Sequence, residues 1–350
     1  MIGRIASRGI NDIEKRFKKI KLLFIRKEWT DVDEMFFSFE PLPMRGKEYW
    51  FLLFTSPESK NGMQFMVTFG RYNMKKISIN GKTISKKQFD DNSWRCALSA
   101  WYYNGKLNKI PTFASKVKIE NNEIHATGKK FDFAFSGKYP EYKLNFSESG
   151  KEICNLKFSE AKNDRKYLVS EYFRGGLGFG NINLYLDFKG KLDGSDFKGR
   201  CYVQKVVITA PIPNVPWNWG RICFKDGSLF EFLQPYIALT KFKRKFSESA
   251  RFYDAKTDKV HTFDKVDVLK FGRRKTQFLV HAKSETEEVT MMAGTCGLKK
   301  FKIGSIGALA YDEHLVNVSS FSFECMKKHI SLDDLGNGVG LLEDGHGYVV

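Results

Sequence analysis

The sequence predicts an all-β protein of sandwich or antiparallel-barrel type, and three observations support this prediction. The 350 residues include 32 Phe, 14 Tyr and 6 Trp, and aromatic side chains favour strands over helices. Long stretches alternate apolar and polar residues with a period of two, as half-buried strands do. Turn dipeptides such as Asn80-Gly81 and Asp193-Gly194 separate these stretches. The length predicts two domains, each able to form its own hydrophobic core.

The first element is a predicted basic amphipathic helix in residues 1–29. This segment contains nine Lys and Arg residues against three acidic residues. Ile13, Phe17, Ile20 and Phe24 recur there at helical spacing on one face. Such a helix can lie on an anionic membrane surface with its apolar face down, where each basic residue contributes about 1 kcal/mol. The alternative is that the same apolar face docks on the protein's own sheet.

Strand patterns follow from about residue 45 onward. Phe65, Val67 and Phe69 form the apolar face of one predicted strand, and similar alternation begins at Phe131 and at Leu184. Each such segment is typical of a strand with one buried face. Regular short strands with turns at this spacing indicate a β-sandwich or an antiparallel barrel.

One proline-dense segment divides the chain. Residues 210–216 hold three of the nine prolines, and proline cannot donate a hydrogen bond to a sheet ladder. We therefore expect this segment to lie outside the sheets and to link two domains, in residues 30–210 and 216–350. Each part is long enough for one barrel of about eight to ten strands.

The residues after this linker form a candidate binding surface. Trp217 and Trp219 are two positions apart, so their indoles share one face of a strand. Together they provide a large apolar wall with two N–H donors. The wall lies at a predicted domain junction, where ligand sites are common. The alternative is that both indoles close the end of a barrel.

These residues resemble motifs of the AttH and hydroxyneurosporene synthase (carotenoid 1,2-hydratase, CrtC) family. The first barrel of that family ends with an aromatic-x-Asp-(His/Arg) strand, which Tyr202-Val-Gln204-Lys205 resembles. Its second barrel opens with a Trp-x-Trp strand, similar to Trp217-Asn-Trp219. The resemblance implies two tandem lipocalin-like antiparallel β-barrels, which here follow the N-terminal basic amphipathic helix.

Two further segments extend this resemblance. Asp226-Gly227 matches the turn that follows the family's Trp-x-Trp strand. Gly338-Val-Gly-Leu-Leu-Glu343 is similar to the family's closing Gly-x-Gly-x-x-Glu strand. The strand-rich pattern runs from about residue 35 to residue 350, whereas the specific motifs occupy a small part of that range.

The resemblance implies a site for an apolar lipid or isoprenoid in an aromatic-lined barrel or in the cleft between the domains. Tyr202, Trp217 and Trp219 are then expected to contact the ligand. Gln204 or Lys205 is expected to bind a polar head group. The other candidate ligand-binding residues are Arg221, Glu231 and His346.

The resemblance also implies an alternative, an isoprenoid or carotenoid hydratase or cyclase. Such enzymes are expected to protonate a double bond with a carboxylic acid, and water then quenches the resulting carbocation. This chain has Gln204 where the family pattern has Asp, and an amide cannot protonate an alkene. Glu343 is the candidate catalytic acid in its place, and Trp217 and Trp219 would stabilise the cation. Binding protein and enzyme both remain open at this point.

Other functional classes lack their sequence signatures. The six Cys are scattered without a CxxC pair and the six His are dispersed, so we expect reduced thiols, no metal site and no cofactor. The net charge is +18, but the basic residues are spread along the chain without a nucleic-acid-binding motif, so nucleic acid is not an expected partner. No run reaches about 18 apolar residues. We expect a cytoplasmic protein, associated with membranes at most peripherally.

Overall fold

The computed structural model describes most of the chain beyond residue 30. The described ranges are 31–161, 167–174, 177–209, 216–239, 242–245, 248–305, 307–326 and 328–349. The predicted helix of residues 1–29 and the linker residues 210–215 lie outside these ranges. The described residues are mostly strand and include only two short helices, and this confirms the predicted all-β class.

The described part of residues 47–208 forms fourteen strands. Their bounds are β1 Lys47–Ser56, β2 Met63–Tyr72, β3 Lys76–Ile79, β4 Lys82–Ser85, β5 Gln88–Asp90, β6 Ser93–Tyr103, β7 Leu107–Glu120, β8 Glu123–Thr127, β9 Phe131–Lys138, β10 Glu141–Glu148, β11 Lys151–Glu160, β12 Tyr167–Arg174, β13 Leu177–Leu192 and β14 Ser195–Ile208. Ten of them close into an antiparallel barrel in the order β11-β10-β9-β8-β7-β6-β2-β1-β14-β13, because β13 pairs back with β11. β5 and β12 pair with β6 and β13 outside this ring.

Aromatic side chains fill the interior of the first barrel. Phe54 and Phe65 stack with ring centroids 5.5 Å apart, and Trp50 stacks on Phe69 at 5.0 Å. All four side chains are essentially inaccessible to solvent. The many Phe residues thus form a packed apolar core, in which close contact and exclusion of water stabilise the fold.

A short helix packs against this core. Helix α1 (Val32–Phe36) is capped by the Asp31 side chain, which accepts hydrogen bonds from the backbone N–H groups of residues 33 and 34. Met35 and Phe36 are buried among the interior side chains. The Trp50 indole donates to the Phe36 carbonyl oxygen at 3.1 Å. The segment is therefore fixed to the barrel by polar as well as apolar contacts.

The second sheet is built from the chain beyond residue 216. Its strands are β15 Trp217–Phe224, β16 Leu229–Leu239, β17 Phe242–Lys245, β18 Ser249–Asp254, β19 Lys259–Phe263, β20 Lys265–Phe271, β21 Gln277–Lys283, β22 Glu287–Ser305, β23 Gly307–Cys325, β24 Lys328–Ser331 and β25 Gly338–Val349, with helix α2 at Leu332–Leu335 and a 3-10 turn at Arg273–Lys275. The main order is β19-β18-β16-β15-β25-β23-β22-β21-β20. A side-chain hydrogen bond from Gln234 to the Val266 carbonyl joins β16 to β20, so the sheet curls around its own core.

The two sheets meet face to face and share one strand hairpin. β3 and β4 leave the first half of the chain and join the second sheet, where Ile79 pairs with Ile303 on β22. Asn80 accepts a hydrogen bond from the Lys302 backbone N–H at 2.8 Å through its side-chain oxygen. A third hydrophobic cluster, formed by outer faces of both sheets, lies between them. This junction contains the candidate site.

Candidate functional site between the two barrels

Four neighbouring strands of the second sheet bring a row of side chains to the face that meets the first barrel. Lys299 on β22 lies directly opposite Glu313 on β23. Glu343 on β25 is the next residue in the row, and its other neighbour is Trp219 on β15. Directly opposed residues of an antiparallel ladder point to the same face, with Cβ atoms about 5 Å apart. The register therefore places two carboxyl groups, an ammonium group and an indole side by side.

Trp217 orients the Glu343 carboxyl group. Its indole Nε1 donates a hydrogen bond to Glu343 Oε2 at 2.8 Å. Gly345 lies opposite Trp217 in the ladder, and a Cβ atom at that position would lie 2.6 Å from the indole ring. The glycine thus provides the space in which the ring lies. The Tyr311 ring flanks the same indole at a centroid distance of 5.7 Å.

The first barrel supplies the opposite wall from β1 and β14. The Phe51 ring meets Trp219 edge to face at 5.9 Å, and the Tyr202 ring lies 5.6 Å from the same indole. Gln204 Nε2 donates to the Tyr202 hydroxyl oxygen at 2.7 Å and to Asn183 Oδ1 at 2.9 Å. Gln204 is therefore a fixed polar group at the edge of an aromatic surface.

Several side chains at this junction stay partly accessible to solvent although the surrounding core is buried. We call them the interbarrel site. They are Tyr49, Tyr72, Gln204, Trp217, Trp219, Tyr311 and Glu343. Five of the seven are aromatic, so the accessible surface is largely apolar, with one acid and one amide in it.

Burial changes the proton affinity of both glutamates. Desolvation raises the pKa of Glu343 to about 7, although the hydrogen bond from Trp217 opposes this shift. The pKa of Glu313 is raised well above its usual range, first by burial and then by the charge of Glu343. Burial therefore favours the neutral form of Glu313, whereas Glu343 exchanges its proton near pH 7.

Glu313 is the site residue that the sequence reasoning missed. Its side chain is fully buried, and neither carboxyl oxygen has a hydrogen-bond partner within the described residues. An unpartnered buried carboxyl group is costly for folding, so such a residue is unusual unless it has a function. The sequence signal that could have identified Glu313 is its position between Tyr311 and Leu315, which share its face of the strand and are both apolar or aromatic.

The tyrosines of the site are held in their neutral form. Burial raises the pKa of Tyr311 well above its usual range, and the nearby Glu313 and Glu343 charges add to this effect. Burial also raises the pKa of Tyr72 to about 12. Their hydroxyl groups therefore remain protonated and can donate hydrogen bonds at neutral pH.

Arg221 and Glu231, two predicted ligand residues, form a buried charge network beneath the site. Arg221 Nη1 lies 2.5 Å from Glu231 Oε2, and Arg251 Nη1 lies 3.1 Å from Glu231 Oε1. The Arg221 guanidinium lies over the Tyr202 ring at 5.2 Å and over the Tyr185 ring at 4.8 Å. These contacts make Arg221 a support for the aromatic wall.

Lys205 lies apart from the other predicted residues. It follows Gln204 in a strand, so its side chain points to the opposite face and into the first barrel. Its Nζ donates to the carbonyl oxygens of Met35 and Ser38 and lies 3.1 Å from Glu48 Oε1. The placement disagrees with the predicted role in binding a ligand head group, because the ammonium is fully buried and holds the α1 segment.

His346 is also separated from the interbarrel site. It lies three positions after Glu343 in a strand and therefore points to the other face, where it is exposed. Its Nδ1 lies 4.0 Å from Asp344 Oδ2.

Asp226, another acid near the motifs, accepts hydrogen bonds from the backbone N–H and the hydroxyl group of Ser228. These bonds stabilise the turn between β15 and β16.

Two structural findings bear on the other functional classes. Among the described residues, no group of three or more His, Cys, Asp or Glu side chains is placed to hold a metal ion. Within the same part of the chain, helices α1 and α2 have five and four residues, far fewer than the roughly 20 that cross a bilayer.

Comparison with solved structures identifies the fold. An AttH-type protein of Nitrosomonas europaea is similar with a TM-score of 0.51 and 14% identity, covering 86% of this chain and 92% of that chain. CghA in its structure with Sch210972 gives a TM-score of 0.50 and 10% identity, covering 86% and 88%. Kievitone hydratase from Nectria haematococca gives a TM-score of 0.41 at 9% identity, covering 92% and 96%.

The similarities to the AttH-type protein and to CghA confirm the predicted resemblance at the level of the fold. No protein-family model matches the sequence, and no curated protein matches it. At identities of 14% and below, what is shared is the tandem lipocalin-like architecture.

Proposed function

We propose that the protein binds an apolar small molecule of the lipid or isoprenoid class at the interbarrel site. One observation carries this proposal: five partly exposed aromatic side chains converge where the outer faces of the two sheets meet. Aromatic side chains with a few fixed polar groups among them are the usual lining of a small-molecule site. Uptake of the ligand from an anionic membrane surface through residues 1–29 is part of the same proposal.

The packing of the first barrel supports a ligand between the barrels over a ligand inside it. Phe54, Phe133 and Phe135 are fully buried in its interior and belong to one continuous apolar cluster. Side chains in such a core contact one another at crystal-like density and leave little space. The aromatic surface that water still reaches lies outside, at Trp217 and Trp219.

Each wall has a separate role in this proposal. The accessible Trp219 ring contacts the apolar body of the ligand. The buried Phe51 and Tyr202 rings fix the position of Trp219, Phe51 edge to face and Tyr202 at a tilt of 34°. Gln204 and the Glu343 carboxyl group contact its polar end. CghA, which has this fold, is known with Sch210972, and this supports the capacity of the architecture to hold a ligand.

Native mass spectrometry of the purified protein, followed by solvent extraction, tests the proposal. We expect one defined adduct, or uptake of one apolar class from a mixture of lipids and isoprenoids. Trp219→Leu should reduce the bound fraction at least tenfold, whereas Phe89→Leu, at an exposed position in β5, should leave it unchanged. A clean apo mass with no uptake from the mixture would contradict the proposal.

A second candidate function is acid-catalysed hydration or cyclisation of a bound double bond. The raised pKa of Glu343 favours it, because a carboxyl group that titrates near pH 7 is a suitable general acid. The Glu343 O–H bond breaks and its proton forms a C–H bond with the alkene π electrons. Trp217 and Trp219 stabilise the resulting carbocation. Water then adds to the cation and returns a proton to the Glu343 carboxylate.

Isotope labelling distinguishes this enzyme from a binding protein. After incubation of the identified ligand in water enriched in oxygen-18, hydration adds one labelled water molecule to the ligand mass. Glu343→Gln should abolish this product and retain ligand binding. Glu324→Gln, on the exposed face of β23, is the matched control and should leave the rate unchanged. Absence of both a labelled hydrate and a cyclised isomer of the ligand after incubation with the wild-type protein would leave binding as the function.

A further inference from the structure

The outer face of the first barrel carries four lysines in a single row across four neighbouring strands. Lys143 on β10 lies directly opposite Lys157 on β11, and Lys157 lies directly opposite Lys189 on β13. Lys189 in turn lies opposite Lys198 on β14. All four side chains are exposed. Because strands are about 4.8 Å apart, the row extends over about 14 Å.

This row is electrostatically unfavourable for the protein alone. Like charges placed directly opposite each other destabilise an antiparallel pair. Lys198 is paired with Glu58 at 2.6 Å. Within the described residues, Lys143, Lys157 and Lys189 have neither an ion pair nor a hydrogen bond. The arrangement thus leaves three adjacent ammonium groups without an ion-pair partner among the described residues.

The lysine row also forms one wall of a cleft. The cleft has a volume of about 830 Å³, and its other wall is the turn between β15 and β16, from Phe224 to Gly227. Arg200 and Lys225 add two further cations to its lining. The lining also contains four acids. Glu58 pairs with Lys198, Asp187 lies 3.8 Å from Arg200, and the other two are Glu141 and Asp226. Six basic side chains thus face four acidic ones. The cleft therefore has an excess of positive charge.

We propose that this cleft binds a small polyanion that carries several phosphate groups. Phosphate carries close to two negative charges near neutral pH, and lysine binds it as a mobile point charge. A row of three adjacent ammonium groups matches several phosphates better than one. The concave shape and small volume suit a compact molecule. The cleft is separate from the interbarrel site, so this inference does not depend on the proposed function.

Calorimetric titration tests the proposal, with inorganic tripolyphosphate and inositol hexakisphosphate as probes. We expect binding in the micromolar range at 50 mM salt, and a clearly weaker affinity at 200 mM salt. The double variant Lys157→Gln/Lys189→Gln should weaken binding at least tenfold. The matched control is Lys265→Gln/Lys283→Gln, an exposed, directly opposed lysine pair in the second sheet, which should bind as the wild type does.

Flotation with vesicles that contain phosphatidylinositol 4,5-bisphosphate identifies the source of the phosphates. Loss of flotation in the Lys157/Lys189 double variant alone would assign the cleft to a lipid head group. Binding of the soluble probes without flotation would assign it to a free polyanion. Equal losses in the double variant and in its control would overturn the proposal, because they would show an effect of overall charge. Absence of binding to every probe at 50 mM salt would also overturn it.

Thermal unfolding gives an independent measurement. Lys157→Gln removes the central charge of the row, so its unfolding midpoint should rise above that of the wild type. Tripolyphosphate should raise the midpoint of the wild type by mass action and should have little effect on this variant. A lower midpoint for Lys157→Gln would contradict the repulsion on which the proposal rests.

Discussion

At the residue scale, Glu343 and Glu313 are neighbours with different environments. Glu343 is partly accessible and receives a hydrogen bond from Trp217 at 2.8 Å, whereas Glu313 is fully buried and has no hydrogen-bond partner within the described residues. Two carboxyl groups in adjacent ladder positions cannot both ionise easily, so the more buried one retains its proton. The environment of the pair therefore disfavours two negative charges at the same time.

Removal of the Glu343 titration should change the pH dependence of stability. The folded protein raises the pKa of Glu343 from 4.5 to about 7, so folding favours the protonated form. This stabilisation is complete below pH 4.5 and is lost as the pH rises through 7, with a total of up to about 3 kcal/mol. We expect Glu343→Gln to reduce the fall in unfolding free energy between pH 5 and pH 8, as measured by urea titration.

The control for this measurement is Glu324→Gln, which changes an exposed glutamate in β23. It should keep the wild-type slope. An unchanged slope in Glu343→Gln would show that this carboxyl group is as well solvated in the folded protein as in the unfolded chain.

Replacement of Glu313 by an apolar side chain should stabilise the fold. Glu313→Met removes two buried oxygens that have no hydrogen-bond partner and keeps a similar volume, so we expect a gain of about 1–3 kcal/mol in unfolding free energy. If Glu313 contributes to the site, the same variant should bind ligand less well. A loss of stability in Glu313→Met would mean that the carboxyl group has favourable contacts in the folded protein.

At the element scale, strand alternation decides which residues reach the site. Gln204 and Lys205 are adjacent, and the family motif suggests either of them as a head-group ligand. Because successive strand residues point to opposite faces, only Gln204 faces Trp219, whereas Lys205 faces the first barrel's interior. A sequence motif identifies the strand, but its orientation depends on which face packs against the second sheet.

Substitutions at these two positions should therefore separate stability from binding. Lys205→Met leaves Glu48 without one partner and the α1 carbonyls without a donor, so we expect a loss of about 3 kcal/mol in unfolding free energy. Ligand affinity of the remaining folded protein should stay unchanged. Gln204→Ala should do the reverse, with little loss of stability and weaker binding. Paired urea and ligand titrations provide both values for each variant.

The β3–β4 hairpin is a second element whose position the sequence did not indicate. Its Asn80-Gly81 turn is evident in the sequence, but its pairing with a strand more than 200 positions away depends on how the two sheets meet.

Ile79 is buried in the cluster between the sheets. Ile79→Ala should cost about 2–4 kcal/mol of unfolding free energy. Val260→Ala, a partly exposed position in another hairpin, is its control and should cost far less.

At the scale of the whole molecule, the local signals in the sequence predict most of the architecture. The alternation of Phe65, Val67 and Phe69 identifies strand β2, and Asp193-Gly194 forms the predicted turn between β13 and β14. The pattern does not show that both faces of β2 are buried. Met66 belongs to the cluster between the sheets, because the outer face of one barrel packs against the other. Such long-range packing leaves no periodic signal in the sequence.

Part of the candidate site, like part of the fold, can be predicted from the sequence. The Trp217 and Trp219 pair and Glu343 were identified from motifs, and the structure brings them together. Glu313 and Lys299 belong to no motif and join the row only through strand register. The filled interior of the first barrel also depends on packing, since the same Phe-rich strands are compatible with a hollow barrel.

The central claim is that an apolar ligand binds between the barrels and not inside them. A titration with retinol, a fluorescent isoprenoid, tests it directly through the increase in retinol emission on binding. Trp219→Leu changes the interbarrel site, and Phe133→Leu is the matched aromatic substitution inside the first barrel. We predict at least a tenfold loss of affinity for Trp219→Leu and less than a twofold change for Phe133→Leu. The opposite pattern would contradict the account and place the ligand within the first barrel.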